Sequence, residues 1–331
     1  MKVKTLITAA TCSWITVNSV VAQNTKLQVP ALIVDAVEGK SVHSDLVMVE
    51  KVSGGIIWYR LNARAAKIND KKMSSVSAVY LARPKDLILA VELFENRQYE
   101  AALKAFRGVK SKFKNFTGID NSFPAIAGFY ELACLRKLKQ YEKLAKAEPL
   151  FADSKWLTKE SDQDQLKIYK LWTHLADKAY PKVIKEYENV WRVKKLPNSL
   201  RAQVEYLYGK AQEAQGNAEE ALIAYSKAMN ADFSGSEVLT LEAIEASFNL
   251  IEADAEAQEI RQMWDNGETK LLKPKLNTSP YIRLLEASAL VRVHNKLGLS
   301  GYDSAGLIVE LPEKYNKYLK YTKESAEALA K

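Results

Sequence analysis

Hydrophobic and polar residues keep two different rhythms along this chain of 331 residues. Before Pro84 the apolar positions are often β-branched and come in short runs, at 31–37, 45–52, 56–61 and 76–81, broken by clusters of Gly, Asn, Asp and Ser. Such runs predict the strands of a small antiparallel meander or barrel over residues 30–83, with Ser53-Gly54-Gly55 as a turn. About fifty residues is marginal for an independent core, so this module is expected to lean on the first helices. From Lys85 onward the period becomes helical.

Within the helical region a single spacing recurs. Ala90, Arg97, Ala102, Phe106 and Val109 lie seven, five, four and three residues apart. So do Leu171, Lys178, Val183, Tyr187 and Val190, and again Gly209, Gly216, Ala221, Tyr225 and Ala228. Each set predicts two short antiparallel helices, with small side chains where the backbones meet. Tyr99, Tyr141, Tyr180 and Ala218 are read as the first residues of successive second helices, 38 to 42 residues apart. In the unit at 202–235, Gly209 allows close packing and Gly216 ends the first helix in a left-handed conformation. Asn217 and Glu220 offer a capping box.

These residues resemble the tetratricopeptide repeat (TPR) family over 85–266, most specifically at 202–235. The resemblance implies an α-solenoid of helix hairpins that binds other proteins and does no chemistry. Three units depart from it, with Arg97 in place of glycine, bulky Leu171 at a close-packing position, and only Tyr141 retained around 125–150. The strands ahead of the array resemble SH3-like or Sm-like barrels. The fold class is thus α+β and mostly α, with a small N-terminal β domain. Residues 237–266 are read as a further helix pair and 267–279 as a linker. A helix over 281–296, a loop over 298–312 and a last helix over 313–330 make 279–331 the cap of the solenoid.

The first 22 residues change the expected location. Lys2 and Lys4 precede an uncharged stretch over 5–22, and Val20-Val21-Ala22 suits cleavage before Gln23. The chain is therefore read as exported, periplasmic or extracellular after cleavage near Ala22. The alternatives are an uncleaved anchor, since 5–22 just reaches spanning length, and lipid attachment at Cys12, whose preceding residues match a lipobox poorly. Net charge is +8, or +6 without Lys2 and Lys4, a mild excess. One cysteine then remains, Cys134, on an apolar helical face, where a buried small side chain is the expected reading.

Little chemistry is visible. The three histidines, His43, His174 and His294, are far apart and have no partner at ligand spacing. There is no phosphate-cradling glycine loop, nucleophile elbow or EF-hand. No cofactor, metal or catalytic residue is predicted. Basic clusters at 104–114 and 136–146 contain Phe106, Phe113 and Tyr141 at helix-packing spacing, so they are read as solvated faces rather than nucleic-acid sites. Peripheral contact with anionic envelope polymers or lipids is the remaining use for those lysines.

The expected function is a non-catalytic exported scaffold that holds a partner peptide or protein in the concave face of the repeats. Gln203, Tyr206, Lys210 and Glu213 form one stripe of a first helix, and Trp172 occupies the comparable turn of the preceding unit. Exposed there, they would suit a peptide ligand. Inter-repeat packing is the competing reading, above all for Trp172. Two alternatives of other classes are a glycan-binding envelope protein on the same helices and an enzyme with a site at the β–helix junction.

Overall fold

A computed structural model describes residues 27–35, 44–231, 237–297, 301–302, 308–309 and 313–325. The expected signal peptide over 1–22, Cys12 and His43 lie outside the described residues. Five strands, β1 (Val29–Asp35), β2 (Ser44–Ser53), β3 (Ile56–Arg60), β4 (Asn69–Lys72) and β5 (Val76–Leu81), make one antiparallel sheet ordered β4-β3-β2-β1-β5. A 3-10 turn, Met73–Ser75, carries β4 into β5. Alternation decides the faces: Val29, Ala31 and Ile33 point inward, Pro30 and Leu32 outward.

In β2, strict alternation after Val47 and Val49 would turn Val52 outward. Register instead shifts between Val49 and Lys51, so Glu50 is the extra residue of a bulge and Val52 returns to the inner face. Strand β4 goes beyond the expected strands, because Asn69-Asp70-Lys71-Lys72 has no apolar residue. Backbone pairing with β3 recruits it. The sheet does lean on the helices. The Val52 N–H donates to the Asn115 carbonyl at 2.7 Å, and Val52 bridges to Phe116. Phe113, Phe116 and Phe123 fill that seam with ring centroids 5.1 to 6.0 Å apart.

The helical region begins with α1 (Lys85–Glu95), α2 (Tyr99–Lys112), α3 (Phe123–Lys137), α4 (Tyr141–Ala147), α5 (Glu160–Ala176) and α6 (Tyr180–Glu186). It continues through α7 (Asn198–Ala214), α8 (Ala218–Ala231), α9 (Glu237–Ala253), α10 (Ala255–Asp265), α11 (Thr269–Leu272) and α12 (Ser279–Leu297). The four expected second-helix starts are met at α2, α4, α6 and α8. The same turn recurs between paired helices. Arg97, Lys139, Lys178, Gly216 and Gly267 have φ of 61°, 55°, 58°, 81° and 68°. The N–H after each reaches back five residues, Gln98 to Leu93, Gln140 to Leu135, Ala179 to His174, Asn217 to Gln212 and Glu268 to Met263, at 2.8–3.0 Å. This closure satisfies carbonyls that a helix end would otherwise leave open. The side chain of Asn217 turns back as well, donating to Gln212 Oε1 at 2.7 Å.

The turn brings the recurring positions together. Ala90, Ala102, Phe106, Leu171, Val183, Ala221 and Tyr225 are all fully buried. A Cβ on Gly209 would lie 2.6 Å from the Tyr225 ring, so the glycine is needed for the α7–α8 approach. Val190 departs from the pattern, at 46% exposed. A π-helical stretch, Tyr187–Trp191, follows α6 and widens the turn, so Trp191 takes the buried slot instead.

Two further expectations are corrected toward the C-terminus. The expected linker at 267–279 holds the fifth left-handed turn, α11 and a 3-10 turn, Lys273–Lys275, with Leu272 buried. The expected last helix begins as a 3-10 helix, Glu313–Lys320. The pairs Lys314-Tyr315, Lys317-Tyr318 and Lys320-Tyr321 recur every third residue, which is the 3-10 period and not the α period. All three tyrosines are therefore buried together. Tyr315 stacks on Phe248 at 4.1 Å, Lys317 pairs with Glu252 at 2.6 Å, and Lys320 pairs with Asp265 at 2.7 Å.

Lys178 is exposed and holds a left-handed conformation that costs a side-chain-bearing residue about 1 kcal/mol. Lys178→Gly is expected to raise the unfolding free energy by about 0.5–1 kcal/mol in urea titration. A loss of stability would mean that this turn is not held as described.

Candidate functional site

The stripe expected to face a ligand instead belongs to the core. Gln203 is 4%, Tyr206 9% and Trp172 3% exposed, so the expectation that these side chains lie open on a concave face is corrected. Gln165 on α5 and Gln203 on α7 exchange amide hydrogen bonds at 2.8 and 3.1 Å, and Trp172 Nε1 donates to Gln203 Oε1 at 3.1 Å. Trp172 stacks on Tyr141 at 5.5 Å and lies 6.0 Å from Tyr206, which lies 5.9 Å from Tyr225. Burial holds the Tyr206 hydroxyl well above the usual phenol range.

The same inward use holds for the rest of the stripe. Lys210, half-buried, pairs with Glu213 at 2.6 Å, and Glu213 also accepts from the Tyr225 hydroxyl. Across this set Lys139 reaches Glu242 on α9 at 2.5 Å, joining residues 103 apart in sequence. Most buried amide and indole N–H groups have a partner, although among the described residues Trp191 Nε1 has none. Here the buried amides and the indole find theirs on the neighbouring hairpin. Trp172 is a packing residue between neighbouring helices, in line with the competing reading.

The other candidates are also spoken for. Burial pushes the Cys134 thiol up to about 12, which keeps it protonated and unreactive at neutral pH. His174 lies 3.6 Å from Glu186, and His294 is buried beside Asn295. In the basic cluster of α2, Arg107 and Lys110 both bind the buried Glu131, at 2.8 and 3.2 Å, and Lys112 binds Asp86. Trp172, Trp191 and Trp264 are buried, so none of the three offers an exposed platform of the kind a glycan needs.

An open site lies elsewhere. Helices α8, α9 and α12 enclose a groove of about 600 Å³. Its floor is α9, where Thr240, Ile244, Ser247 and Ile251 are buried, and Ser247 donates to the Ala243 carbonyl at 2.9 Å. Its two rims carry Ile223 on α8 and Ile282 on α12, at 50% and 44% exposed. Helix α9 is apolar on more than one side. One side packs on Tyr315 and Tyr318 through Phe248, and another is left facing the groove.

Charge is sparse and unequally placed around this groove. Glu219 and Lys227 come from α8, Arg283 and Glu286 from α12. Arg283 forms an ion pair with Asp254, which also caps α10 by accepting from Glu256 N at 3.0 Å and Ala257 N at 3.2 Å. That pair ties α12 to the α9–α10 joint. Partial burial raises the Glu286 carboxyl above its usual range, with Arg283 opposing the shift.

The sequence does not mark these residues, which fall in no motif. The one available signal was Ile223 and Ile282, large aliphatics on helix faces that the period assigns to solvent. Comparison of the chain with protein-family models, with curated proteins and with solved structures gives no match. Among the described residues no helix is long and apolar enough to cross a membrane, and no group of His, Cys, Asp or Glu side chains could hold a metal ion.

The raised carboxyl has a signed consequence. A carboxyl whose folded pKa lies above its unfolded value favours the fold at low pH and costs stability as pH rises through the folded value. Glu286→Gln removes that cost. The variant is expected to melt slightly higher than the parent at pH 7, with the difference vanishing below about pH 4, where glutamate is protonated in both states. A difference of equal size at both pH values would contradict the partial burial of Glu286.

Proposed function

We propose that this protein is a non-catalytic, exported protein-interaction scaffold, and that it holds a helical segment of a partner in the groove between α8, α9 and α12. The observation that carries the reading is the groove itself. Ile244 and Ile251 on the floor and two exposed isoleucines on opposite rims form one surface, with Thr240 and Ser247 between, which suits the apolar face of an amphipathic helix. Scattered exposed apolar residues need no explanation, whereas facing ones across a cavity do. Helix α8 has 14 residues, a length of about 21 Å at 1.5 Å per residue, enough to align about four turns of a partner helix.

The architecture around the groove is proposed to be a TPR-like array behind an SH3-like barrel. The repeated left-handed turn and the buried seven-five-four-three positions support the array. The strand order β4-β3-β2-β1-β5 and the 3-10 turn between β4 and β5 support the barrel. Export rests on the composition of residues 1–22 alone.

The test compares the parent chain with the double variant Ile223→Glu/Ile282→Glu, both changes lying on exposed rims. After crosslinking in the native envelope and mass spectrometry, partners captured by the parent are expected to be lost from the variant, while its circular dichroism is unchanged. Capture of the same partners by both proteins would overturn the groove as the docking site.

A further inference from the structure

On α8 the charges that line the groove balance, with Glu219 and Lys227 one turn either side of Ile223, whereas on α12 Glu286 stands between Ile282 and Leu290 without a free counter-charge. Among the described residues its carboxylate has no hydrogen-bond or ion-pair partner, although Arg283 lies one turn before it on α12. That arginine is committed to Asp254. Lys227, Glu219 and Glu286 are all exposed in the free protein, and the α8 pair is opposite in sign. Glu286 sits against the apolar lining. An apolar helix laid over it would strip its remaining water and leave a desolvated charge, which is costly unless paired.

We infer that the groove selects a cationic amphipathic helix, whose apolar face covers Ile223, Ile244, Ile251 and Ile282 and whose lysine or arginine pairs with Glu286. This inference rests on the reading of the groove as a docking site and names the chemistry of its occupant. Charge complementarity is its ground. With Arg283 neutralised by Asp254, the lining carries two carboxylates, Glu219 and Glu286, against one remaining cation, Lys227. The preference is local and runs against the whole molecule. The chain carries a formal +8, so long-range attraction favours an acidic ligand, not a basic one.

Three acetylated and amidated helical peptides test this. They share one leucine face and differ only in a polar face of lysine, glutamine or glutamate, and binding to the full chain is followed by fluorescence anisotropy at low salt. The lysine peptide is expected to bind about tenfold more tightly than the glutamine peptide, the worth of one charge-assisted hydrogen bond. The glutamate peptide should bind most weakly. Glu286→Gln should erase the lysine advantage and leave the glutamine peptide unchanged. Ile223→Glu/Ile282→Glu should weaken all three. Equal binding of the lysine and glutamine peptides, or a lysine advantage that survives Glu286→Gln, overturns the inference while the groove reading stands. Failure of all three to bind the parent, or binding that survives the rim variant, overturns the groove reading as well.

Discussion

Most of this structure depends on one backbone constraint, a single residue held at positive φ where a helix must end and its partner begin. Two hydrogen bonds close each such turn, and the second helix starts two residues later. Because that offset is constant, the residue seven before the turn and the residue nine after it can meet at one joint, as Gly209 and Tyr225 do. Ala90 and Ala102, seven before and five after Arg97, are both fully buried. The energy of each hairpin comes from burial, but the geometry that permits burial comes from the turn. Lysine and arginine hold the position three times, at a cost the packed helices offset.

The same constraint explains why the anticipated ligand stripe is closed. Stacking hairpins at this pitch brings α5 and α7 close enough for Gln165 and Gln203 to exchange amides. It also places Tyr141, Trp172, Tyr206 and Tyr225 in successive contact. Lys139 and Glu242 then join the second hairpin to α9. Polar residues on a first helix are thus consumed as connectors between hairpins. An open surface remains where α12 arrives from outside the hairpin series. It leaves some of the α9 side that faces it uncovered.

Helix starts at Tyr99, Tyr141, Tyr180 and Ala218 were legible because a local period and a local turn decide them. Strand β4 was not, since pairing with β3 overrides its own polar composition. The outward Val190 was not legible either. A widened π turn moves the buried slot to Trp191, and no residue type announces such a turn. The Lys-Tyr repeat at 314–321 was visible as a rich composition, while its period of three, the real signal, points to a 3-10 helix. The groove was the least legible feature. Its walls come from helices about 60 residues apart, and only Ile223 and Ile282 break their local pattern.

Isoleucine side chains occur both inside and outside the groove, so isoleucine-methyl NMR of the full chain reads the central claim directly. On titration with the lysine-faced helix, the account predicts shifts at Ile223, Ile244, Ile251 and Ile282, with Ile33, Ile57, Ile168 and Ile184 unmoved. Shifts centred on Ile168 and Ile184, or spread evenly over all eight, would contradict it.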